Sequence, residues 1–249
     1  MIEKLAVGRT LPEAYHDALC QLKDCGAVTD CADWKQRQKE VSMTMQVEEP
    51  FAEPMISRLF IGGPKDLEQY VQEMLDGILD FEVERGNWTY TYHMRMGEQV
   101  DFVIRELKRN PETRRAVIDV RTPEDIDSAD PACLQHLQYF IRNGKLDCIV
   151  LFRSNDACEA TFMNAFALIM LQKKIADAVG VEVGSYVHRA NSFHAYEKDW
   201  NMLDGYVERI RAGADTTFEY VGDWDEQMEE ARPEIDAIVD SLRNPVSEK

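Results

Sequence analysis

Residues 134–179 read LQHLQYFIRNGKLDCIVLFRSNDACEATFMNAFALIMLQKKIADAV. Two segments, LQHLQYFI (134–141) and LDCIVLFR (146–153), alternate as half-buried strands do, and Arg142-Asn143-Gly144-Lys145 stands between them. Asn-Gly supplies two residues that tolerate positive φ, so the pair is predicted to be a tight hairpin. Residues 159–179 are apolar around nearly the whole helical circumference. A helix with no polar face has to be buried, which makes this one a central core element. The expected frame is therefore α+β, a sheet with a long buried helix packed on it.

Working outward, LPEAYHDALCQLKDC (11–25) has helical spacing and stops before Gly26, while EVSMTMQV (40–47) alternates as a strand. PKDLEQYVQEMLDGIL (64–79) and EQVDFVIRELKRN (98–110) read as amphipathic helices, the second stopped by Pro111 and followed by a strand in TRRAVIDVRT (113–122). VEVGSYVHRANSFHAY (181–196) reads as a strand pair, and MEEARPEIDAIVDSLRN (228–244) as a final helix. No repeats or low-complexity segments interrupt the chain, and 249 residues fit one domain, 1–249.

Composition narrows the function classes. Acidic residues outnumber basic ones 46 to 28, a formal charge of -18. Such a surface repels nucleic acid and anionic membranes, so neither is an expected partner and an anionic ligand must be small and met by local arginines. The most apolar run, ATFMNAFALIMLQ, is too short to span a bilayer and MIEKLAVGRT has no secretory core, so a cytoplasmic protein is expected. Six cysteines without a C-x-x-C pair suggest free thiols, and no metal is expected.

Three features point to chemistry. Arg114-Arg115 stands at a helix-to-strand junction, and Arg153-Ser154-Asn155-Asp156 ends the returning strand of the hairpin. Guanidinium forks with a hydroxyl beside them suit a phosphate, although surface ion pairing explains a single arginine as well. Asn164 is a lone amide in the most apolar helix, either a satisfied core group or a ligand reader. Cys133, between a proline-bearing turn and a strand, reads as core filler, disulfide half, metal ligand or nucleophile.

The spacing of these residues resembles the thymidylate synthase family. Cys133 with Gln138 five residues on matches its nucleophile segment, and Arg153, Ser154 and Asp156, with Asn164 eleven residues after the arginine, match its Arg-Ser-x-Asp motif. GSYVH leading to His194 and Tyr196 in NSFHAY matches its ribose-binding strand, NPETRRAVIDV its double-arginine strand, and YTYHMR (90–95) its Y-G-x-x-W-R segment. The likeness spans roughly residues 66–200, and five motifs in order make coincidence improbable.

The resemblance implies that Cys133 adds to C6 of a pyrimidine nucleoside monophosphate, making C5 nucleophilic toward the one-carbon unit of methylenetetrahydrofolate or a methanopterin-type analogue. It implies that Arg153 and Ser154 hold the phosphate, that Arg114 and Arg115 reach it from the partner in a sheet-mediated homodimer, and that Gln138 belongs to the substrate-binding set. His194 and Tyr196 would hold the ribose 3′-hydroxyl, Asn164 the base edge, and Asp156 the pterin and base carbonyl. Tyr90 falls among the catalytic residues. The proton-relaying glutamate matches Glu73, with Glu68 a competitor. Leu134, Thr91, Met94 and Asn191-Ser192 depart from the common pattern, and RNPVSEK does not resemble the family's folate-closing tail. The expected activity is methylation of deoxyuridylate at C5. The alternatives are a deoxyuridylate or cytidylate 5-hydroxymethylase, in which water replaces hydride, and a catalytically silent nucleotide-binding protein.

Overall fold

Two long strands, paired with each other, form the middle of the main sheet, and the other strands are added outward from them on both sides. The computed structural model describes residues 1–221 and 223–244, with the backbone course alone within 223–230. The last five residues of RNPVSEK therefore lie outside the described residues. In chain order the elements are β1 (Glu3–Gly8), α1 (Leu11–Cys25), β2 (Ala27–Cys31), β3 (Gln36–Val47), β4 (Ile56–Ser57), α2 (Pro64–Asp76), α3 (Phe81–Glu84) and α4 (Tyr92–Arg109). They continue as β5 (Val117–Asp119), β6 (Leu134–Arg142), β7 (Lys145–Phe152), β8 (Asn155–Asp156), α5 (Thr161–Val179), β9 (Glu182–Tyr196), α6 (Trp200–Arg211), β10 (Thr217–Phe218) and α7 (Asp223–Arg243).

The sheet order is β1-β3-β9-β7-β6-β5, with β2 on the other half of β3's outer edge and β8 beside the end of β9. The predicted hairpin is β6 and β7, paired antiparallel, with Arg142 opposite Lys145. Asn143 and Gly144 both have positive φ, 52° and 77°, as a two-residue turn matching the strand twist requires. The predicted core helix is α5. From Phe162 to Ala176 most of its side chains are buried, and it packs on β7 and β9 as well as on α2 and α4.

The predicted strand pair at 181–196 is one continuous strand, β9. At Asn191-Ser192 the chain bulges instead of turning: these two residues face the single Ser42 of β3, and the neighbour on the other edge changes from β7 to β8 at the same place. The bulge puts Phe193, opposite buried Val41, on the core side and turns His194 and Tyr196 the other way. Strand β3 begins at Gln36, earlier than its alternation suggests, and the strand in TRRAVIDVRT shrinks to Val117–Asp119. Helix α4 starts six residues early and breaks at Gly97, whose φ is 24°. Elements β1, β2 and α6 have no counterpart in the sequence reading.

Among the described residues, no helix lies over the face of the sheet away from α5. Two rows of paired residues cross it, Val117-Gln138-Ile149-Val187-Gln46-Val7 and Asp119-His136-Leu151-Arg189-Thr44-Leu5. None of these twelve is buried, and Ile149, Leu5 and Val7 are among the exposed large apolar residues. No helix among the described residues is long and apolar enough to cross a membrane.

Candidate active site

At the end of the sheet where β7 gives way to β8, a cleft of about 380 Å³ opens. Cys133, Arg153, Ser154, Asp156, Asn164, His194 and Tyr196 all line it, so seven of the residues singled out from sequence converge on one space. They come from a turn, a strand end, a helix and β9. The buried core fixes the position of each.

Cys133 closes the turn before β6. Arg153 straps this turn down: its backbone N–H donates to the Cys133 carbonyl at 2.9 Å, and its guanidinium donates to the carbonyls of Ala132 (3.1 Å) and Pro131 (2.7 Å). Burial pushes the Cys133 thiol up, the Arg153 guanidinium pulls it back and Asp130 adds to the rise. The net rise shows that Arg153 alone does not make Cys133 a standing thiolate.

Asp156 spends one oxygen on the turn into α5, accepting from the backbone N–H groups of Cys158 and Glu159 at 2.9 Å each. Burial raises its pKa against those bonds and the nearby His194. Carboxylate oxygens of Asp156, Glu159 and Asp199 lie within 4.8 Å of one another, and the Lys198 ammonium pairs with Glu159 (2.7 Å) and Asp199 (3.7 Å). His194 is almost fully buried. Its Nδ1 lies 3.2 Å from the Ser192 carbonyl, its Nε2 has no hydrogen-bond partner among the described residues, and its ring meets that of Tyr196 edge-on at 4.7 Å.

Asn164, the lone amide of α5, is 5% exposed. Its Oδ1 accepts from the hydroxyl of Tyr70 on α2. Tyr70 is a site residue that sequence reading missed, because an aromatic at helical spacing reads as core. With Tyr92 and Asp130 it lines both this cleft and a second one of about 490 Å³, completed by Glu73, Met74, Leu79, Asn87, Trp88, Thr89, Tyr90 and Thr91. The Tyr92 hydroxyl accepts from the Leu134 N–H at 3.3 Å, next to Cys133.

Glu73 thus faces the second cleft one turn beyond Tyr70, whereas Glu68 lies on another face of α2, beside Phe166 and Met170. Burial raises the Glu73 carboxyl against a hydrogen bond from Gln69 at 2.9 Å. Burial likewise pushes the Tyr90 phenol up to about 12. Arg95 steadies this wall. It chelates Asp125 at 2.9 and 3.2 Å, donates to Thr122, and lies 5.2 Å over the Tyr90 ring.

Arg114, Arg115 and Gln138 are not brought into either cleft of their own chain. Both arginines are exposed, Arg115 pairs with Glu106 at 3.0 Å, and the Gln138 amide donates to the Arg114 carbonyl at 2.9 Å. All six cysteines are unpaired.

A family model described as Thymidylate synthase matches residues 68–234. A protein of Methanocaldococcus jannaschii named "Putative thymidylate synthase" is 32% identical over 215 residues, 79% of this chain and 93% of that protein. A thymidylate synthase of Bacillus phage phi3T is 34% identical over 113 residues, 45% of this chain and 40% of that protein. The solved structure of thermostable thymidylate synthase A from Bacillus subtilis superposes with a TM-score of 0.66 at 20% identity, covering 80% of this chain and 84% of that one, and shares the fold. The chain belongs to the thymidylate synthase family of pyrimidine C5 methyltransferase enzymes. That family acts on a nucleotide with a methylenetetrahydrofolate-type one-carbon donor.

Proposed function

We propose that this enzyme is a thymidylate synthase, converting deoxyuridylate to thymidylate with methylenetetrahydrofolate or a related reduced pterin. The observation that carries the reading is the shared cleft in which a thiol, a guanidinium with a hydroxyl, and a base-reading amide stand together: Cys133, Arg153 with Ser154, and Asn164. These suit, in turn, C6 of the ring, the phosphate, and the polar edge of the pyrimidine.

In this reading Arg153 and Ser154 hold the phosphate, His194 and Tyr196 the 3′-hydroxyl, and Asn164 the uracil edge. Cys133 forms the bond to C6 as its thiolate. Phosphate binding beside Arg153 orients the ring over the sulfur, and the guanidinium, already opposing burial at Cys133, favours the charged form. Addition of the thiolate to C6 moves an electron pair toward C4–O4, leaving C5 nucleophilic. An amide donor at Asn164 stabilises the developing enolate oxygen.

The second cleft fits a reduced pterin in size and chemistry, with aromatic and apolar walls from Trp88, Tyr90, Tyr92, Leu79 and Met74 and polar points at Glu73, Asn87 and Thr89. When bound, that group supplies the one-carbon unit and the hydride. Glu73, half-buried and with its carboxyl raised by burial, passes protons at the boundary between the clefts, Tyr90 walls the pterin, and Asp156 addresses the pterin and base carbonyl.

The bare sheet face supports a homodimer. Its apolar centre suits a second copy, and Arg114 and Arg115, outside their own cleft, then reach the partner's phosphate. A cytoplasmic location agrees with the free thiols and the charge. The test is mass spectrometry of products from deoxyuridylate and deoxycytidylate with methylenetetrahydrofolate. The 5-methyl product with dihydropterin is expected from deoxyuridylate. A 5-hydroxymethyl product with the pterin left unoxidised assigns the hydroxymethylase instead, and no product from either nucleotide refutes both.

A further inference from the structure

Above the nucleotide cleft hangs an indole that the sequence gives no reason to notice. Trp34 sits at the tip of the β2–β3 hairpin, is 63% exposed, and still lines the cleft with Cys133, Arg153 and Tyr196. Exposed tryptophans are costly to leave in water and are concentrated where something binds.

The hairpin is built as an arm. β2 pairs with β3 alone, and its first four residues are exposed. Just past the tip Arg37 donates to Glu197 through Nε at 3.1 Å, and the Trp200 ring carries both Arg37 and Lys39, at 5.2 and 5.5 Å from its centre. The returning strand is therefore held on the body of the protein right up to the tip, where the chain reverses at Lys35, φ 53°, immediately after the indole. The Trp34 ring meets Tyr196 edge-on at 6.3 Å, and Tyr196 meets His194 at 4.7 Å. Three rings climb from the floor of the cleft to its rim. The indole N–H has no protein acceptor among the described residues, so it is a donor without an assigned use.

We infer that Trp34 is a nucleotide-contacting residue, carried by the β2–β3 arm onto the sugar and phosphate of a pyrimidine nucleoside monophosphate seated between Arg153 and Tyr196. The inference rests on the nucleotide reading of the cleft and adds a residue to it. The indole face covers the sugar, excluding water from the ribose end, and the indole N–H donates to a phosphate oxygen. Deoxyuridine, lacking the phosphate, forfeits the second contact.

Calorimetry and tryptophan emission with deoxyuridylate test this in the full-length protein, using W34A and W34F. W34A is expected to bind deoxyuridylate about tenfold more weakly, with KM raised more than kcat is lowered and the unfolding midpoint unchanged. W34F keeps the aromatic face and should recover most of the affinity. Deoxyuridylate should alter the emission of the wild type, and W34F should lose most of that change. Wild-type-like affinity in W34A, within twofold, or an emission change that survives in W34F, overturns the role of Trp34 and leaves the cleft assignment standing. Failure of the wild type to bind any pyrimidine nucleotide overturns both.

Discussion

The Tyr70 hydroxyl donates to Oδ1 of Asn164, joining α2 to α5 at the place where the two clefts meet. With the oxygen engaged, the amide NH₂ is the group left to face the nucleotide, and an NH₂ suits the O4 acceptor of uracil better than the N4 amine of cytosine. Tyr70→Phe should leave that oxygen without its donor and lower kcat/KM for deoxyuridylate by about tenfold, in line with about 1–3 kcal/mol for a buried group losing its partner. Asn164→Asp should shift preference toward deoxycytidylate. Competition between the two nucleotides, followed by product analysis, measures both effects, and an unchanged preference in Asn164→Asp refutes the base-reading role.

Glu73 and Glu68 share a helix but not a face. Glu73→Gln should therefore lower kcat by 100-fold or more while deoxyuridylate still binds, since general acid–base groups contribute about 10²–10⁴-fold. Glu68→Gln should stay within twofold of the wild type. The reverse ranking in steady-state assays excludes Glu73 as the proton relay.

The dimer proposal has a direct assay. Cys133→Ala and Arg114→Ala should each be inactive or severely impaired alone, Cys133→Ala still binding nucleotide. Mixed after reversible dissociation, the two variants can assemble one site with both groups intact, and up to a quarter of wild-type activity should return. Ultracentrifugation showing a monomer at assay concentrations removes the basis for the expectation.

Acid should destabilise the fold through two histidines outside the clefts. Burial holds His16 down to about 4 and His188 down to about 3, against an ordinary value of 6.5. His16 bonds Ser57 at 2.8 Å, and His188 lies between Asn155 (2.8 Å) and Tyr186 (3.0 Å), both rings neutral. The unfolded chain takes up these protons below about 6.5 and the folded chain does not. Their contribution is therefore complete above pH 6.5 and lost as pH falls, at up to about 1.4 kcal/mol per pH unit for each group, toward 4 and then 3. Urea unfolding at pH 7 and pH 5 should show the loss, and His188→Gln should flatten it.

Much of this was legible because the chemistry is written in short spans. Arg153 to Asn164 covers a strand end, a turn and the first turn of a helix, so spacing along the chain fixes spacing in space. The hairpin was legible because Asn143-Gly144 accepts a conformation few other pairs accept. β1 escaped because its open face is apolar too: Leu5 and Val7 lie among the uncovered residues, which erases the polar half of the alternation. The unity of β9 escaped because Asn191-Ser192 has the composition of a turn and the geometry of a bulge. Tyr70 and Trp34 escaped for opposite reasons, one resembling core and the other surface.

The bulge in β9 sets a rule of parity for this protein. Alternation along a strand counts residues, so Ala190 and Phe193, three apart, share the core side only because Asn191 and Ser192 together stand opposite the single Ser42. Removing Ser192 alone would restore one-to-one pairing and leave Phe193 in the core with His194 and Tyr196 on the cleft side, but without the local bend that the extra residue gives the strand. A one-residue shortening at the bulge should therefore keep the sides, whereas a one-residue deletion in the regular ladder before it, at Val187 for example, would exchange them for everything beyond.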